Sequence, residues 1–127
     1  MAIYHCSIQI IGRSAGRSAV ACAAYRAGDK CVDHETGIVS DYTNKGGVVH
    51  SEIMLCENAP EEYADRETLW NSVHEIEKQA KAQLAREFEV ALPGEMEREE
   101  QIECVHNFVQ RNFVDKGMIA DWSLHDK

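Results

Sequence analysis

Three short segments of this sequence alternate between apolar and polar residues, and they constrain the fold more than any other feature. They cover residues 3–10, 86–92 and 118–125. Successive side chains of a β-strand point to opposite faces, so each segment predicts a strand with one apolar and one polar face. Strands of this kind typically form an antiparallel sheet that is covered on one side and open on the other.

Two other stretches place their apolar residues at helical spacing. The first begins at a predicted cap, Asp65, and repeats its apolar residues as far as Leu84. The second ends at Gly117 and has its apolar side at Ile102, Val105, Phe108, Val109 and Phe113. The order of elements predicts an α+β fold in two layers, with the amphipathic helices on one face of an antiparallel sheet.

The length of 127 residues suits one domain that covers residues 1–127. Within it, residues 36–55 predict a hairpin excursion from the main sheet, with its turn at residues 44–47. Trp70 and Trp122 occupy positions whose periodicity points inward, so we assign both to the core rather than to base stacking.

The segment from Gly12 to Gly28 carries one tyrosine, Tyr25, on a helix of otherwise small residues. Alanine favours helix, and glycine suits the left-handed position after the last turn. Arginine side chains donate to phosphate oxygens in a matching fork, which makes Arg13, Arg17 and Arg26 candidate phosphate contacts. A tyrosine phenol held beside a phosphodiester can attack it covalently. Taken alone, Tyr25 would be an ordinary tyrosine of the surface or core edge.

The net charge of −9 argues against a nucleic-acid partner, but the charge is unevenly distributed. Residues 1–50 carry five Lys or Arg against four Asp or Glu, whereas residues 51–127 carry eight against eighteen. The acidic residues lie mainly on the two later helices, where they are typical of solvated faces. Acidic faces of this kind would also suit a protein–protein adaptor, but that function would not explain the tyrosine segment.

The polar faces of the three strands predict a polar floor beneath the Tyr25 helix. It comprises His5, Ser7, Gln9, Glu87, Glu89, Asp121, Ser123 and His125. Without a function, the Glu87 and Glu89 carboxylates would simply be solvated, and His5 would make only a local hydrogen bond.

The cysteines and the amino terminus indicate the compartment. The five cysteines form no close pair of metal-ligand spacing, and an odd count leaves at least one thiol unpaired, so we interpret them as reduced thiols. The sequence has neither a signal peptide nor an apolar run of membrane-spanning length. We therefore expect a cytoplasmic protein without a membrane partner.

Motifs along nearly the whole chain resemble MobA/MobL-type conjugative relaxases, which are HUH endonucleases. They include Met1-Ala2-Ile3-Tyr4-His5, the Arg-Ser-x-Gly-Arg-Ser segment, Ala23-Ala24-Tyr25-Arg26, Lys45-Gly46-Gly47, Glu57-Asn58-Ala59-Pro60, Leu69-Trp70-Asn71, Ala91-Leu92-Pro93 and Leu124-His125-Asp126. The resemblance implies an HUH relaxase fold and a role in plasmid or mobile-element mobilisation. Its expected partners are single-stranded DNA at a transfer origin and other mobilisation or relaxosome proteins.

The resemblance also implies roles for individual residues. Tyr25 matches the nucleophile that forms a 5′-phosphotyrosine link, and His125 matches the first histidine of a triad that binds a divalent metal, Mg or Mn. A phenol is largely protonated at neutral pH, so it needs a base or a positive field to attack. Glu87 is the candidate supporting base, with Glu89 as its neighbour on the same face. The DNA contacts would come from Arg13, Arg17, Arg26 and His5.

The sequence departs from the family pattern at its end. The family continues into an Asn-Pro-His-x-His segment with two further metal ligands, whereas this sequence ends at Lys127. We therefore expect the chain to fold but to bind metal poorly and to cleave DNA weakly or not at all. The strand over residues 118–125 would keep an exposed edge, which favours self-association. Two functions follow: the catalytic domain of a relaxase, or a non-catalytic DNA-binding or structural remnant.

Overall fold

A computed structural model describes residues 6–92 and 94–126. The order of elements is β1 (Cys6–Gly12), α1 (Ala19–Ala27), β2 (Lys30–Val32), β3 (Val39–Asp41), β4 (Val48–Met54), α2 (Arg66–Ile76), β5 (Gln83–Val90), α3 (Arg98–Asn112) and β6 (Ala120–His125). This order confirms the α+β class. The candidate DNA contact His5, the start of the first predicted strand and Pro93 lie outside the described residues. No helix in the described part is both long enough and apolar enough to cross a membrane.

The strands pair in three antiparallel couples. β1 pairs with β5 from Cys6 opposite Val90 to Gly12 opposite Gln83, with an irregularity at the Gly12 end. β4 pairs with β6, and β2 pairs with β3. The three predicted alternating strands therefore form, although β1 and β5 pair with each other whereas β6 pairs with β4.

The hairpin predicted over residues 36–55 does not form. β3 pairs backward with β2, because the chain reverses at residues 33–37, where the Gly37 N–H donates to the Asp33 carbonyl at 2.7 Å. The Asp33 carboxylate stabilises this turn by accepting from the backbone N–H groups of Glu35 and Thr36. β4 is left to pair with β6, and residues 43–47 become the loop between two different couples.

Asp65 caps α2 and Gly28 ends α1, as the sequence predicts, and Ser18, which the sequence did not single out, caps the start of α1. The Ser18 side chain accepts from the Ala21 N–H at 3.2 Å, and the Asp65 side chain accepts from the Thr68 N–H at 3.1 Å. Gly28 closes α1 in the left-handed conformation with φ of 65°. A Cβ at Gly28 would also lie 3.3 Å from Val48 Cγ2, so glycine suits both the backbone and the packing here.

The helix predicted to continue to Leu84 ends earlier, at Ile76. Leu84 lies instead in β5, where it is buried against Ile11 and Ala19. A single apolar residue fits either a helical or a strand period, so spacing alone could not assign it.

The helices pack on both faces of the β4–β6 couple rather than on one face. Ala120 and Trp122 of β6 pack with the buried Met54 and Val109, on the α3 side. Asp121 points the other way and accepts from Trp70 Nε1 of α2 at 2.9 Å. The prediction that both later helices cover one apolar face therefore holds for α3, whereas α2 packs beside α1.

The position of α2 leaves apolar side chains of the β1–β5 couple in solvent. Ile8 is 61% exposed and Val90 is 53% exposed, although the Phe88 ring meets the Phe113 ring at 5.2 Å. Trp70 and Trp122 both pack against buried clusters, which confirms their assignment to the core.

Candidate functional site

Tyr25 lies on the last turn of α1 and is 51% exposed. Its predecessors Ala23 and Ala24 are buried, so the helix turns its small residues inward and the phenol outward. The Tyr42 ring meets the Tyr25 ring edge-on, with centroids 5.2 Å apart. Lys45 Nζ lies 3.6 Å from the centroid of the Tyr25 ring and donates to the Tyr25 carbonyl at 2.8 Å. The tyrosine is accessible, yet three contacts with the β3–β4 region restrain it.

The loop that carries Lys45 is fastened at both ends. At its start, the Thr43 N–H and hydroxyl both donate to the Asp41 carboxylate, and these hydrogen bonds lower the pKa of Asp41. The Lys45 N–H donates to the Tyr42 carbonyl at 2.9 Å. At its end, Gly47 adopts φ of 88° and its carbonyl accepts from the Asp126 N–H at 2.7 Å. The loop is thereby joined to the residue that follows β6.

Glu87 of β5 lies against the arginines of the Tyr25 segment. Its carboxylate forms an ion pair with Arg26, and its other oxygen lies 3.9 Å from Arg17. The Glu87 side chain is only 10% exposed, whereas Glu89 is exposed on the outer part of the same strand. The two carboxylates thus differ in exposure and in partners, a difference that the sequence did not show.

His125 lies at the end of β6, beside the carboxyl end of α1. Its Nε2 donates to the Arg26 carbonyl at 2.7 Å, because a carbonyl oxygen can only accept. The contact joins residues 99 positions apart and brings His125 to the residue next to Tyr25. Arg26, the residue after Tyr25, is therefore bound by His125 through its carbonyl and by Glu87 through its side chain.

Arg13 lies apart from this group, at the other end of α1. Its side chain is 18% exposed and donates to the Glu35 carboxylate and to the backbone carbonyls of His74 and Glu77. These acceptors engage all three guanidinium nitrogens. The predicted phosphate contact at Arg13 thus has other partners in this structure, whereas Arg17 and Arg26 lie beside Glu87.

The predicted polar floor is divided. Asp121 is 7% exposed and accepts two hydrogen bonds from Arg66, each at 2.8 Å. Burial opposes the Arg66 charge, but the hydrogen bonds and charges of Asp121 and Asp29 outweigh it and raise the pKa of Arg66. Asp121 therefore ties β6 to α2. The sequence showed the two-faced strand but gave no sign of this arginine partner.

The cysteines make no disulfide in the described residues, and all five are free thiols. Burial raises the pKa of Cys31 to about 11, helped by the nearby carboxylates of Asp29 and Glu67. A thiol of this kind is a poor nucleophile and a poor metal ligand, because both roles need the thiolate.

The ligand set for a metal is incomplete in the described part of the chain. Within residues 6–92 and 94–126, no group of three or more His, Cys, Asp or Glu residues could hold a metal ion. His125 is thus not part of a complete metal-ligand group within these residues.

Comparison with known proteins assigns the chain to a family. The MobA/MobL family model matches residues 17–127, and the chain belongs to that family. The chain is 45% identical over 125 residues to the mobilization protein MobL of Acidithiobacillus ferridurans, covering 98% of this chain and 32% of the relative. It is 42% identical to the conjugal transfer protein TraA of Rhizobium radiobacter, with 99% of this chain and 12% of the relative covered. The relaxase-family assignment made from the sequence motifs is confirmed.

A solved structure shares the fold. It is titled "Molecular Basis of Vancomycin Resistance Transfer in Staphylococcus aureus" and superposes with a TM-score of 0.92 at 34% identity. The match covers 98% of this chain and 63% of that one. The chain thus spans about a third or less of the two curated relatives and under two thirds of the solved chain.

Proposed function

We propose that these residues form the tyrosine-bearing part of a DNA relaxase, which nicks single-stranded DNA at a transfer origin. The observation that carries the proposal is the exposed Tyr25 phenol with Lys45 over its ring, next in the chain to Arg26, whose carbonyl binds His125. Cations beside an exposed phenol suit a phosphodiester, whose negative charge they attract. Membership of a family that includes mobilization and conjugal transfer proteins supports the same substrate.

The proposed reaction is a transesterification. The Tyr25 oxygen attacks phosphorus, so a tyrosine–phosphorus bond forms and the bond from phosphorus to the 3′-oxygen breaks. The phenolic proton is lost and the departing 3′-oxygen gains one, which leaves a 5′-phosphotyrosine and a free 3′-hydroxyl. Rejoining runs the same exchange in reverse, so no external energy source is required.

Within this proposal Glu87 is the supporting carboxylate. Its ion pairs with Arg26 and Arg17 hold two guanidinium groups on the side of α1 that faces β5. Arg17 and Arg26 then serve as phosphate contacts, since guanidinium groups keep unused N–H donors after one ion pair. Its proposed role as the base that accepts the phenolic proton comes from the family resemblance and not from a contact with Tyr25.

The proposed reaction also uses a divalent metal, Mg or Mn. Such an ion would polarise the phosphate oxygens and neutralise their growing charge. His125 is the ligand that the described residues offer, and they do not complete a site. Catalysis with metal would therefore require ligands from outside them.

The proposed partners are single-stranded origin DNA and other relaxosome proteins in the cytoplasm. A second copy of the chain is a further proposed partner, because β6 pairs with β4 on one side and no described strand pairs with its other edge.

A covalent-capture assay tests the proposed chemistry. The native gene product that carries these residues is incubated with labelled single-stranded DNA of its transfer origin and run on a denaturing gel. Tyr25→Phe should abolish the protein–DNA adduct without unfolding the chain, because it removes one exposed oxygen atom. Tyr42→Phe is the matched control and should retain the adduct. An adduct that persists in Tyr25→Phe would refute the assignment.

The described residues do not form a complete set of metal ligands, which favours a second candidate function, that of a non-catalytic DNA-binding remnant. This candidate predicts salt-dependent binding of single-stranded DNA with no adduct in the wild-type protein. The same gel, run beside a filter-binding titration, separates the two functions.

A further inference from the structure

We propose that Lys45 is a positioning residue for Tyr25, holding the phenol ring in the orientation from which it attacks. This inference rests on the relaxase function proposed above. It begins from an unusual combination: a tyrosine that is half exposed, with an ammonium group directly over its ring.

Two contacts from one side chain fix the tyrosine. The Lys45 ammonium lies 3.6 Å from the ring centroid and donates to the carbonyl of the same residue at 2.8 Å. A cation over an aromatic face is attracted by the ring quadrupole. The carbonyl bond fixes the ammonium relative to the backbone, so the ring contact disfavours rotation of the phenol away from it. Tyr42 restrains the ring edge from the same segment.

The loop geometry explains how a lysine, normally a mobile side chain, can restrain the Tyr25 ring. Residues 43–47 are fastened to Asp41 at one end and to Asp126 at the other. Asp126 directly follows His125, which itself binds the Arg26 carbonyl. The same loop therefore sets the separation between Lys45, Tyr25 and the end of β6.

The absence of a carboxylate partner among the described residues distinguishes Lys45 from the arginines of the segment that carries Tyr25. Arg17 and Arg26 both face Glu87. Within residues 6–92 and 94–126, no carboxylate forms an ion pair with Lys45. An ammonium has three donors, so Lys45 can keep its carbonyl bond and still attract a phosphate to the ring.

Kinetics of adduct formation test the role in the native gene product. Lys45→Met keeps the aliphatic stem and removes the charge, and Lys81→Met is the matched control at an exposed lysine. Lys45→Met should slow adduct formation at saturating DNA by roughly tenfold or more, because small misplacements of a nucleophile are costly. Lys81→Met should leave the rate unchanged, and Lys45→Arg should restore part of it. A Lys45→Met variant that only weakens DNA binding, with an unchanged rate at saturation, would overturn the proposal.

A second measurement works without catalysis and separates this proposal from the proposed function. In the DNA-free protein, NMR should show the Lys45 side-chain methylene protons shifted upfield by the Tyr25 ring, with the shift lost in Tyr25→Leu. The Tyr25 ring resonances should move in Lys45→Met but not in Lys81→Met. Unaltered Tyr25 resonances in Lys45→Met would refute the positioning role even if the enzyme is active. Absence of adduct in the wild type would refute the proposed function alone.

Discussion

The two ends of α1 each lie beside an arginine but differ in how many of their polar groups are already bonded. At the amino end, Arg13 and the helix cap Ser18 are joined to neighbouring elements by hydrogen bonds that leave little free capacity. At the carboxyl end, Tyr25 is half exposed, and the cations around it are shared with one carboxylate or with none. An arginine-rich segment is therefore not one functional surface, because the partners of each arginine decide whether it remains available to a ligand.

The amino end is a structural junction. Ser18 Oγ donates to the Asp33 carboxylate at 2.8 Å while it caps the helix. The buried His74 accepts from the Ala19 N–H at 2.9 Å. Arg13 then closes the end of α2 by donating to its last carbonyls. Each of these groups stabilises the packing of α1 on α2.

The first prediction concerns Arg13, where we expect the largest loss of stability. Arg13→Ala removes a mostly buried cation and leaves carbonyls and Glu35 without their donor, so unfolding free energy should fall by about 2–3 kcal/mol. Affinity for single-stranded DNA, measured where the variant is folded, should stay close to that of the wild type. Urea titration and fluorescence anisotropy measure the two quantities. A stable variant with weakened DNA binding would place Arg13 in the DNA interface instead.

The second prediction concerns the loop at the carboxyl end. Gly47 has φ of 88°, and a Cβ there would lie 2.9 Å from the Asp126 carbonyl oxygen, so Gly47→Ala should lower unfolding free energy by about 1–2 kcal/mol. Gly46→Ala is the matched control, since a Cβ at Gly46 meets no atom within 4 Å. The Gly47 variant should also slow adduct formation more than the Gly46 variant. Equal stability of the two variants would show that the loop is not fastened to Asp126.

The third prediction concerns acid sensitivity at the amino end. Burial alone would raise the pKa of Asp33, but hydrogen bonds to its carboxylate outweigh burial and lower it; the donors are Ser18, Glu35 and Thr36. A carboxyl with a lowered pKa in the folded state stabilises the protein above its unfolded pKa of about 4, and this contribution is lost as the pH falls. Asp33→Asn should therefore flatten the decline of stability between about pH 5 and pH 2. Ser18→Ala should flatten it partly, and an unchanged slope in Asp33→Asn would contradict the role of this carboxylate.

The fourth prediction concerns Arg17 and has the smallest expected effect. Arg17 is 37% exposed and lies at the longer of the two distances to Glu87, so it can turn to a phosphate at low cost. Arg17→Ala should reduce the salt dependence of single-strand binding by roughly 0.7 log units, the value for one phosphate contact. Arg111→Ala on α3 is the control and should leave the slope unchanged. A slope that does not respond to Arg17→Ala would remove this residue from the interface.

The sequence predicted the local elements well because their signals are local. The Asp65 cap, the glycine at the end of α1 and the alternating strands each depend on a few neighbouring residues. The strand pairing depends on distant residues, which is why β3 and β4 were wrongly joined in one hairpin. The turn at residues 33–37 has a suitable Asp and Gly but was not recognised from the sequence.

The candidate site was predicted in part for the same reason. Motif resemblance singled out Tyr25, Arg26, Glu87 and His125, and the structure joins Glu87 and His125 to Arg26, the residue after Tyr25. It could not show that Arg13 and Asp121 have partners of their own, because Glu35 and Arg66 lie far from them in the sequence. Lys45 belonged to a matched motif, but only the folded loop places it over the tyrosine.

Peptide mapping of the covalent adduct shows whether the carboxyl end of α1 is the reactive end. Trypsin cuts after Lys and Arg, so the four tyrosines fall in four separate peptides, and Tyr25 lies alone in residues 18–26. The native gene product is reacted with single-stranded origin DNA, digested with nuclease and trypsin, and analysed by mass spectrometry. We predict that the nucleotide mass is attached to the peptide of residues 18–26. Attachment to the peptide of residues 31–45, which carries Tyr42, or to either of the other two would contradict the account.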